Sequence, residues 1–137
     1  MSQARHLSGR IWEKLLKESG ADIFNGAQGR ILYVLWEHGD LTITEIGKLT
    51  SLAKTTLTSM LDRMEAGGLV KRVPDKKNRR QIFIVVTEKA KDYREKYDEL
   101  SNKMNEIFYR GFSEAEVNEF EDKLRKIVNN LETEEHK

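Results

Sequence analysis

Two groups of side chains in this chain have the types and spacing needed to bind an anion. The first group is four hydroxyl residues within five positions: Thr55, Thr56, Thr58 and Ser59. Short hydroxyls can hydrogen-bond to phosphate oxygens or base edges, and a threonine methyl can contact the methyl group of thymine. The second group is four cations within five positions: Lys76, Lys77, Arg79 and Arg80. Because lysine and arginine bind phosphate oxygens through charge-assisted hydrogen bonds, both groups predict contact with a polyanion.

The hydroxyl group falls on a predicted helix of about residues 53–65, whose apolar residues form a single stripe. These residues are Leu57, Met60, Leu61 and Met64. Their spacings of 3, 1 and 3 fit one face of a helix. The hydroxyls therefore point away from the core, together with Lys54 and Arg63. Gly67 and Gly68 end the helix, since glycine tolerates the left-handed conformation that often follows a helix.

A shorter helix precedes this one, and a capping box between Thr42 and Glu45 marks its start. The pairs Asn25–Gln28 and Ser113–Glu116 predict two further capping boxes, each at the start of another helix. The apolar residues of the shorter helix are Ile43, Ile46 and Leu49. A tight turn over residues 50–52 connects the two helices. Two helices joined in this way predict a helix-turn-helix, whose second helix enters the major groove of DNA.

A β-hairpin with a basic tip is predicted next. Residues 69–73 are compatible with a strand that Pro74 breaks, and residues 81–87 are rich in β-branched side chains. The connection of six or seven residues holds the second group of cations. An extended tip that carries arginines can reach a minor groove, where narrow A·T-rich geometry concentrates negative potential.

Each feature alone is also typical of an ordinary solvated surface, but their order along the chain favours binding to double-stranded DNA. The residues predicted to contact DNA are Thr42, Thr44, Lys54, Thr55, Thr56, Thr58, Ser59, Arg63, Lys76, Lys77, Asn78, Arg79 and Arg80. Residues 41–80 hold nine basic and four acidic side chains, a net charge of +5, whereas residues 113–137 have a net charge of −4. A basic centre attracts an anionic partner.

Long amphipathic helices are predicted on both sides of this unit, among them one from Glu88 to about Arg110. Their apolar residues recur at spacings of 3 and 4, and such seams pack against another helix. Burial within a monomer is the alternative, but a chain of 137 residues offers little else to cover these seams, which favours a homodimer. The residues predicted for the dimer interface are Leu7, Ile11, Ile107, Phe112, Val117, Phe120, Leu124, Ile127 and Leu131. We expect a single domain over residues 1–137, with a DNA-binding part at about 25–87 and dimerisation helices at about 4–20 and 88–135.

The sequence argues against an enzyme. It has no glycine-rich phosphate loop, no paired nucleophile and base, and no cluster of metal ligands, so neither a catalytic residue, a metal nor a cofactor is predicted. The absence of cysteine excludes disulfides and thiolate sites. His6, His38 and His136 are far apart. Since there is neither an apolar run near 18 residues nor a signal-peptide pattern, we expect a cytoplasmic protein that does not enter a membrane.

Several short segments of the centre carry a family pattern. They are Leu61-Asp62-Arg63-Met64-Glu65, Gly68-Leu69-Val70, Arg72, Pro74-Asp75, Arg79-Arg80 and Thr87-Glu88-Lys89. Together they resemble the end of the recognition helix, the wing and the start of the fifth helix in the MarR family of winged helix-turn-helix transcriptional regulators. With the flanking helices, the resemblance covers almost the whole chain.

The resemblance implies a mainly α fold with a small β-hairpin wing and with long terminal helices that intertwine in a homodimer. It also implies binding to a pseudo-palindromic operator, usually as a repressor, with Arg80 in the minor groove. Many family members release DNA when a small aromatic or lipophilic effector binds between the dimerisation and DNA-binding regions. Ile11, Trp12 and Trp36 are candidates for such a pocket, and ordinary core packing is the alternative role for each.

The chain departs from the family pattern at two points of this unit. Ala53 stands where serine is common, which removes a side-chain cap usually worth ~1 kcal/mol and leaves Thr50, Ser51 or tertiary contacts to support the helix start. Asn78 stands where aspartate is common, which leaves Asp75 as the remaining acidic partner for Arg80. The lack of cysteine and the scattered histidines argue against the peroxide-sensing and zinc-sensing branches. A winged-helix protein–protein interaction module without DNA binding is the alternative function, although it does not explain the basic tip.

Overall fold

The computed structural model describes residues 2–20 and 25–137, and these form seven helices and three strands. In chain order the elements are α1 (Ser2–Glu18), α2 (Gly26–His38), β1 (Leu41–Thr42), α3 (Ile43–Thr50), α4 (Lys54–Ala66), β2 (Val70–Pro74), β3 (Ile82–Val86), α5 (Glu88–Lys91), α6 (Arg94–Phe108) and α7 (Glu114–Glu135). Helices α3 and α4 form the predicted helix-turn-helix. Strands β2 and β3, with residues 75–81 between them, form the wing. The predicted mainly α fold with a small β wing is confirmed.

The chain divides into two compact units, residues 1–102 and residues 103–137. Every buried apolar side chain among the described residues lies in the first unit. Helix α2 supplies the centre of that core through Ile31, Leu32 and Leu35, because it is apolar over much of its circumference. Ile46 of α3 and Leu61 of α4 are fully buried in the same cluster. The helix-turn-helix is therefore held by the core of its own unit.

The sheet has three antiparallel strands in the order β1-β3-β2 rather than the two that the sequence predicts. Leu41 and Thr42 pair with Ile84 and Phe83 of β3. A strand of two residues is too short to produce a recognisable alternation. Pro74 does end β2, as predicted, although it is the last paired residue of that strand rather than the first residue beyond it. It lies at an edge strand, where the missing backbone N–H costs little.

Three capping boxes fix helix starts, and all three were predicted from the sequence. They join Asn25 to Gln28, Thr42 to Glu45, and Ser113 to Glu116. In each box the cap side chain accepts from the third backbone N–H, and the third side chain accepts from the cap backbone N–H. After α4, Gly68 takes a φ of 77°, the left-handed conformation expected of the glycine pair.

The long helix predicted from Glu88 to about Arg110 is interrupted. Helix α5 ends at Lys91 and α6 begins at Arg94. At the break the N–H of Tyr93 donates to the carbonyl of Ala90, three residues earlier, at 3.2 Å. This tighter turn replaces one α-helical turn, and neither proline nor glycine marks it in the sequence.

Leu49 was predicted on the apolar face of α3, but its side chain is 46% exposed. Ile46 and Thr50, one turn apart, occupy the inward face instead. The buried hydroxyl of Thr50 donates to the carbonyl of Ile46 at 2.7 Å, so a polar residue fits there without a lost hydrogen bond.

Candidate nucleic-acid interface

Helix α4 presents its hydroxyl residues to solvent. Thr55, Thr56 and Ser59 are exposed, and Thr58 is half-buried with its hydroxyl donating to the carbonyl of Lys54 at 2.9 Å. The opposite face is buried through Leu57, Leu61 and Met64, each at most 1% exposed. Lys54 and Arg63 are also exposed. One side of α4 is thus core, and the other is a surface of short hydrogen-bonding groups with a cation near each end.

The start of α4 has no side-chain cap. Ala53 has the extended conformation of an N-cap residue, with φ −63° and ψ 145°, but its methyl group cannot accept a hydrogen bond. Ser51 does not replace it, because that residue takes a left-handed φ of 58° at the end of α3. The hydroxyl of Thr50 is turned back to α3. The first backbone N–H groups of α4 therefore have no side-chain cap and can donate hydrogen bonds to solvent or to an anion.

The two candidate residues at the start of α3 differ in accessibility. Thr44 is exposed. Thr42 is only 9% exposed, and its hydroxyl accepts from the N–H of Glu45 at 3.2 Å and donates to that carboxylate at 3.0 Å. This burial does not fit the predicted DNA contact through Thr42. The residue fixes the start of α3 instead.

The tip of the wing is shaped by two short side chains that accept backbone hydrogen bonds. The carboxylate of Asp75 accepts from the N–H of Lys77 at 2.9 Å, and the amide oxygen of Asn78 accepts from the N–H of Arg80 at 3.2 Å. Asp75 therefore accepts a hydrogen bond from the backbone of the tip rather than from the guanidinium of Arg80. Asn78 orders the backbone of the tip, which an amide can do as well as a carboxylate.

The basic side chains of residues 41–80 are almost all without an ionic partner. Of the nine, only Arg72 forms a salt bridge among the described residues. The four cations of the tip, Lys76, Lys77, Arg79 and Arg80, are all exposed. Unpaired cations at this density form a positively charged surface, which attracts anions.

Arg72 of β2 holds the two carboxylates of α4. Its Nη1 donates to Oε1 of Glu65 at 2.7 Å, and its Nη2 donates to Oδ1 of Asp62 at 2.8 Å. Burial by itself would lower the pKa of Arg72, but these hydrogen bonds and charges raise that pKa overall. These two salt bridges join the wing to α4 and neutralise the acidic side chains of that helix.

The residues predicted for the dimer interface all keep accessible surface in the single chain. Helix α7 contains no buried residue over its 22 positions. Its Leu131 is 63% exposed. Phe120, Leu124 and Ile127 of α7 are exposed, as are Leu7 of α1 and Phe112, whereas Ile11, Ile107 and Val117 are half-buried. The apolar seam of α7 is thus only partly covered by its own chain. Phe120 packs against the rings of Phe108 and Tyr109, while Leu124 and Ile127 stay exposed.

Two of the three predicted pocket residues meet around one tyrosine. The rings of Trp12 and Trp36 lie 5.3 and 5.6 Å from that of Tyr97, both edge-on. Tyr33 contacts the same ring at 6.0 Å. Burial raises the pKa of Tyr97 above the ordinary tyrosine value. Ile11 is half-buried on α1.

Sequence reasoning missed Arg72 as a site residue. Only the family pattern flagged the position, because a single basic residue in a strand has many surface roles. Its two partners lie seven and ten residues away on another element, beyond the reach of any helical or strand spacing rule.

No described helix combines the length and the apolar character that a membrane span needs. A family model described as MarR family matches residues 24–82.

Three curated relatives align with this chain. The HTH-type transcriptional regulator TtmR of Methylorubrum extorquens (strain PA1) is 37% identical over 95 residues, 69% of this chain and 47% of TtmR, so the match spans about half of that relative. The HTH-type transcriptional repressor IacR of Pseudomonas putida is 29% identical over 88% of this chain and 71% of its own length. YsmB of Bacillus subtilis (strain 168), an uncharacterized HTH-type transcriptional regulator, is 30% identical over 85% of this chain and 84% of its own length.

Solved structures have the same fold. Reduced AbfR bound to DNA aligns with a TM-score of 0.73 at 27% identity, over 95% of this chain and 87% of AbfR. Bordetella bronchiseptica BpsR, whose structure addresses regulation of DNA binding by 6-hydroxynicotinic acid, aligns with a TM-score of 0.83 at 20% identity. That alignment covers 93% of this chain and 89% of BpsR.

Proposed function

This chain belongs to the MarR family of winged helix-turn-helix transcriptional regulators, and on that premise we propose that it binds operator DNA as a homodimer. In this proposal it represses transcription until a small aromatic effector releases the DNA. It works without catalysis or a cofactor, in the cytoplasm, where a regulator meets the chromosome. Among its relatives, IacR is named a repressor, and AbfR is bound to DNA in its solved structure.

One observation carries the assignment to DNA: eight of the nine basic side chains in residues 41–80 have no ionic partner among the described residues. A protein–protein module would have little use for such a surface, since unpaired charge is depleted at the centre of protein interfaces. A polyanion with regularly spaced phosphates is the partner that gives each cation a ligand.

The two exposed surfaces, the hydroxyl face of α4 and the wing tip, would contact different grooves of the DNA. The hydroxyl face of α4 carries short side chains, so the helix can enter a major groove ~12 Å wide. Thr55, Thr56 and Ser59 would contact base edges or phosphates there, with Lys54 and Arg63 on the backbone. The wing tip would place Arg79 or Arg80 in the adjacent minor groove.

The homodimer accounts for the exposed seam of α7. Phe120, Leu124 and Ile127 recur at spacings of 4 and 3 on that helix, the pattern of a helix that packs against another. A second copy of the same chain supplies an identical seam, and a two-fold axis then repeats the DNA-binding surface. The operator should accordingly be a pseudo-palindrome with half-sites about one helical turn, ~10 base pairs, apart.

The effector is proposed from the aromatic cluster and from the relatives. Trp12 and Trp36 flank Tyr97, and rings in such an arrangement suit an aromatic ligand. BpsR is regulated by 6-hydroxynicotinic acid, an aromatic acid.

Selection of duplexes from random DNA tests the assignment. We expect enrichment of a pseudo-palindromic sequence that binds two chains per duplex, with both half-sites protected from cleavage. Failure to enrich any sequence, with a stable dimer in solution, would instead favour the protein–protein interaction module.

A further inference from the structure

The C-terminal end of α4 is joined to the start of α5 by two side chains. The hydroxyl of Thr87 donates to the carbonyl of Gly68 at 2.6 Å, and the Nζ of Lys89 donates to the carbonyl of Gly67 at 3.2 Å. We call these four residues the α4–α5 junction. We propose that Thr87 and Lys89 are positioning residues that fix the tilt of α4 against α6 and so set the half-site spacing that the dimer accepts, a step that rests on the proposed function.

The carbonyls of the junction lie where a helix end needs partners. Gly67 is the C-cap residue of α4, so its carbonyl has no N–H donor within the helix. The C-terminus of a helix also carries partial negative charge, which favours a cation such as the Lys89 ammonium. Gly68 follows in the left-handed conformation, and the hydroxyl of Thr87 binds its carbonyl.

The Thr87 hydroxyl takes part in two structures at once. While it donates to Gly68, it also accepts from the N–H of Ala90 at 3.3 Å as the N-cap of α5. The backbone N–H of Thr87 donates to the carbonyl of Leu69 at 3.1 Å. A change in the angle between α4 and α5 would therefore disturb the cap of α5, which makes the junction resist such a change.

The start of α6 is fixed in a comparable way, but to a different helix. The Nη1 of Arg94 donates to the carbonyl of Trp36 at 3.0 Å, and its Nη2 donates to Glu37 at 2.8 Å. The end of α2 thus holds the first residue of α6, which runs on to Phe108 in the second unit. With α6 held by α2, the junction is the polar connection that restricts α4 relative to the predicted dimerisation helices.

A small tilt at the junction has a large effect at the other end of α4. The opposite end carries the exposed Thr55 and Thr56 that we propose contact DNA. Helix α4 has 13 residues and is therefore about 20 Å long. A tilt of about 10° at one end displaces the other end by about 3.4 Å, which is the rise of one base pair.

Pulsed electron paramagnetic resonance tests the junction without DNA. Because the chain has no cysteine, Ser59→Cys on α4 and Glu99→Cys on α6 give two spin labels per chain, both at exposed positions. An excess of unlabelled chain removes distances between labels on different chains. In the otherwise unchanged protein we expect one narrow distribution of distances between the two labels.

Three variants of the labelled chain separate the junction from its neighbourhood. The distance distribution should broaden in Lys89→Met and more so in Thr87→Val, since Thr87 is half-buried and Lys89 is exposed. Lys91→Met is the matched control, because that lysine pairs with Glu88 at 2.9 Å instead, and it should leave the distribution unchanged. Unchanged distributions in Lys89→Met and Thr87→Val would overturn the junction.

The consequence for DNA has a separate readout. The affinity for the selected duplex is divided by the affinity for the same duplex with one base pair inserted between the half-sites. Lys89→Met should reduce this ratio by about three- to tenfold, because a tilting α4 accepts the longer spacing. Lys89→Arg, which keeps a cationic donor, should restore most of the ratio. A broadened distance distribution with an unchanged ratio would overturn the link to spacing.

A direct phosphate contact through Lys89 predicts a different result. Loss of such a contact would reduce the salt slope of DNA binding by about 1 and leave the affinity ratio unchanged. Loss of a positioning residue should lower the ratio and leave the slope unchanged. A chain that binds no duplex would overturn the proposed function, and the distance measurements, which contain no DNA, would still decide whether the junction fixes α4.

Discussion

Arg72 and Glu65 are joined by two hydrogen bonds. The guanidinium Nη1 of Arg72 lies 2.7 Å from Oε1 of Glu65, and the backbone N–H of Arg72 donates to Oε2 at 3.2 Å. The Arg72 side chain is 24% exposed, so this link is better shielded from solvent than an ordinary surface pair. It fixes the wing strand to the helix that we propose enters the major groove.

Removal of this link should weaken DNA binding in two ways. In Arg72→Gln the wing loses both salt bridges to α4 and keeps the backbone hydrogen bond to Glu65, and Asp62 and Glu65 become uncompensated charges beside the phosphates. We expect about a tenfold loss of affinity for the selected duplex, or ~1.4 kcal/mol, measured by fluorescence anisotropy. Lys71→Gln, which removes the same charge one residue away without breaking a salt bridge, is the control.

Neutralising Asp62 and Glu65 separates the effect of the lost salt bridges from the effect of charge repulsion. Adding Asp62→Asn and Glu65→Gln to Arg72→Gln should recover part of the lost affinity, because the repulsion is removed while the salt bridges stay broken. If Arg72→Gln and Lys71→Gln lose equal affinity and the added changes restore none, Arg72 acts as a simple phosphate contact.

The uncapped start of α4 predicts a stabilising substitution. Ala53 already has the backbone conformation of an N-cap residue. Ala53→Ser should therefore raise the free energy of unfolding by about 0.5 to 2 kcal/mol, measured by urea denaturation. Ala66→Ser, at the other end of the same helix, should give no such gain. If the two variants change the free energy of unfolding equally, the hydroxyl at position 53 does not act as a helix cap.

The exposed seam of α7 predicts a monomerising substitution. Leu124→Glu places a charge among apolar side chains that we assign to a helix–helix interface, where an unpaired charge is costly. Sedimentation should report a monomer or a much weaker dimer. Asn130→Glu, on the same helix but outside the seam, should sediment like the wild type. A fully dimeric Leu124→Glu protein would place the interface elsewhere.

The capping box at the start of α7 predicts a pH effect. Hydrogen bonds to Ser113 lower the pKa of Glu116 below the ordinary glutamate value. Because the folded state prefers the charged form, the stabilisation is present above the unfolded-state pKa and is lost as the pH falls through the folded-state pKa. An NMR titration should give a lowered pKa for Glu116, and a partly restored one in Ser113→Ala, which loses the side-chain hydrogen bond but keeps the larger effect of the Ser113 backbone N–H. An ordinary glutamate pKa in the wild-type protein would contradict the capping role.

Local features of the fold could be predicted, and non-local ones could not. The capping boxes at Asn25, Thr42 and Ser113 follow from pairs of residues three apart, so the sequence alone identified them. Strand β1 escaped detection because its existence depends on pairing with β3, whose partner residues lie 41 and 43 positions later. The break between α5 and α6 carries no helix-breaking residue.

The candidate site shows the same division. Periodicity correctly separated the buried face of α4 from its hydroxyl face, because Leu57, Leu61 and Met64 lie inward. It could not distinguish Thr42, which is committed to a cap, from Thr44, which is exposed. The salt bridges of Arg72 with Asp62 and Glu65 form only when the wing packs beside α4, so no local sequence pattern predicts them. The contacts with DNA and with a second chain remain predictions from these surfaces.

The salt dependence of its affinity for duplex DNA tests most directly whether this chain is a DNA-binding protein. Affinity for the selected duplex should fall steeply as salt rises, with a logarithmic slope of about −0.9 for each phosphate contacted. Arg80→Ala should weaken binding and reduce the slope by about 1 while the dimer stays intact. A flat salt response in the wild-type protein would contradict a DNA-binding function.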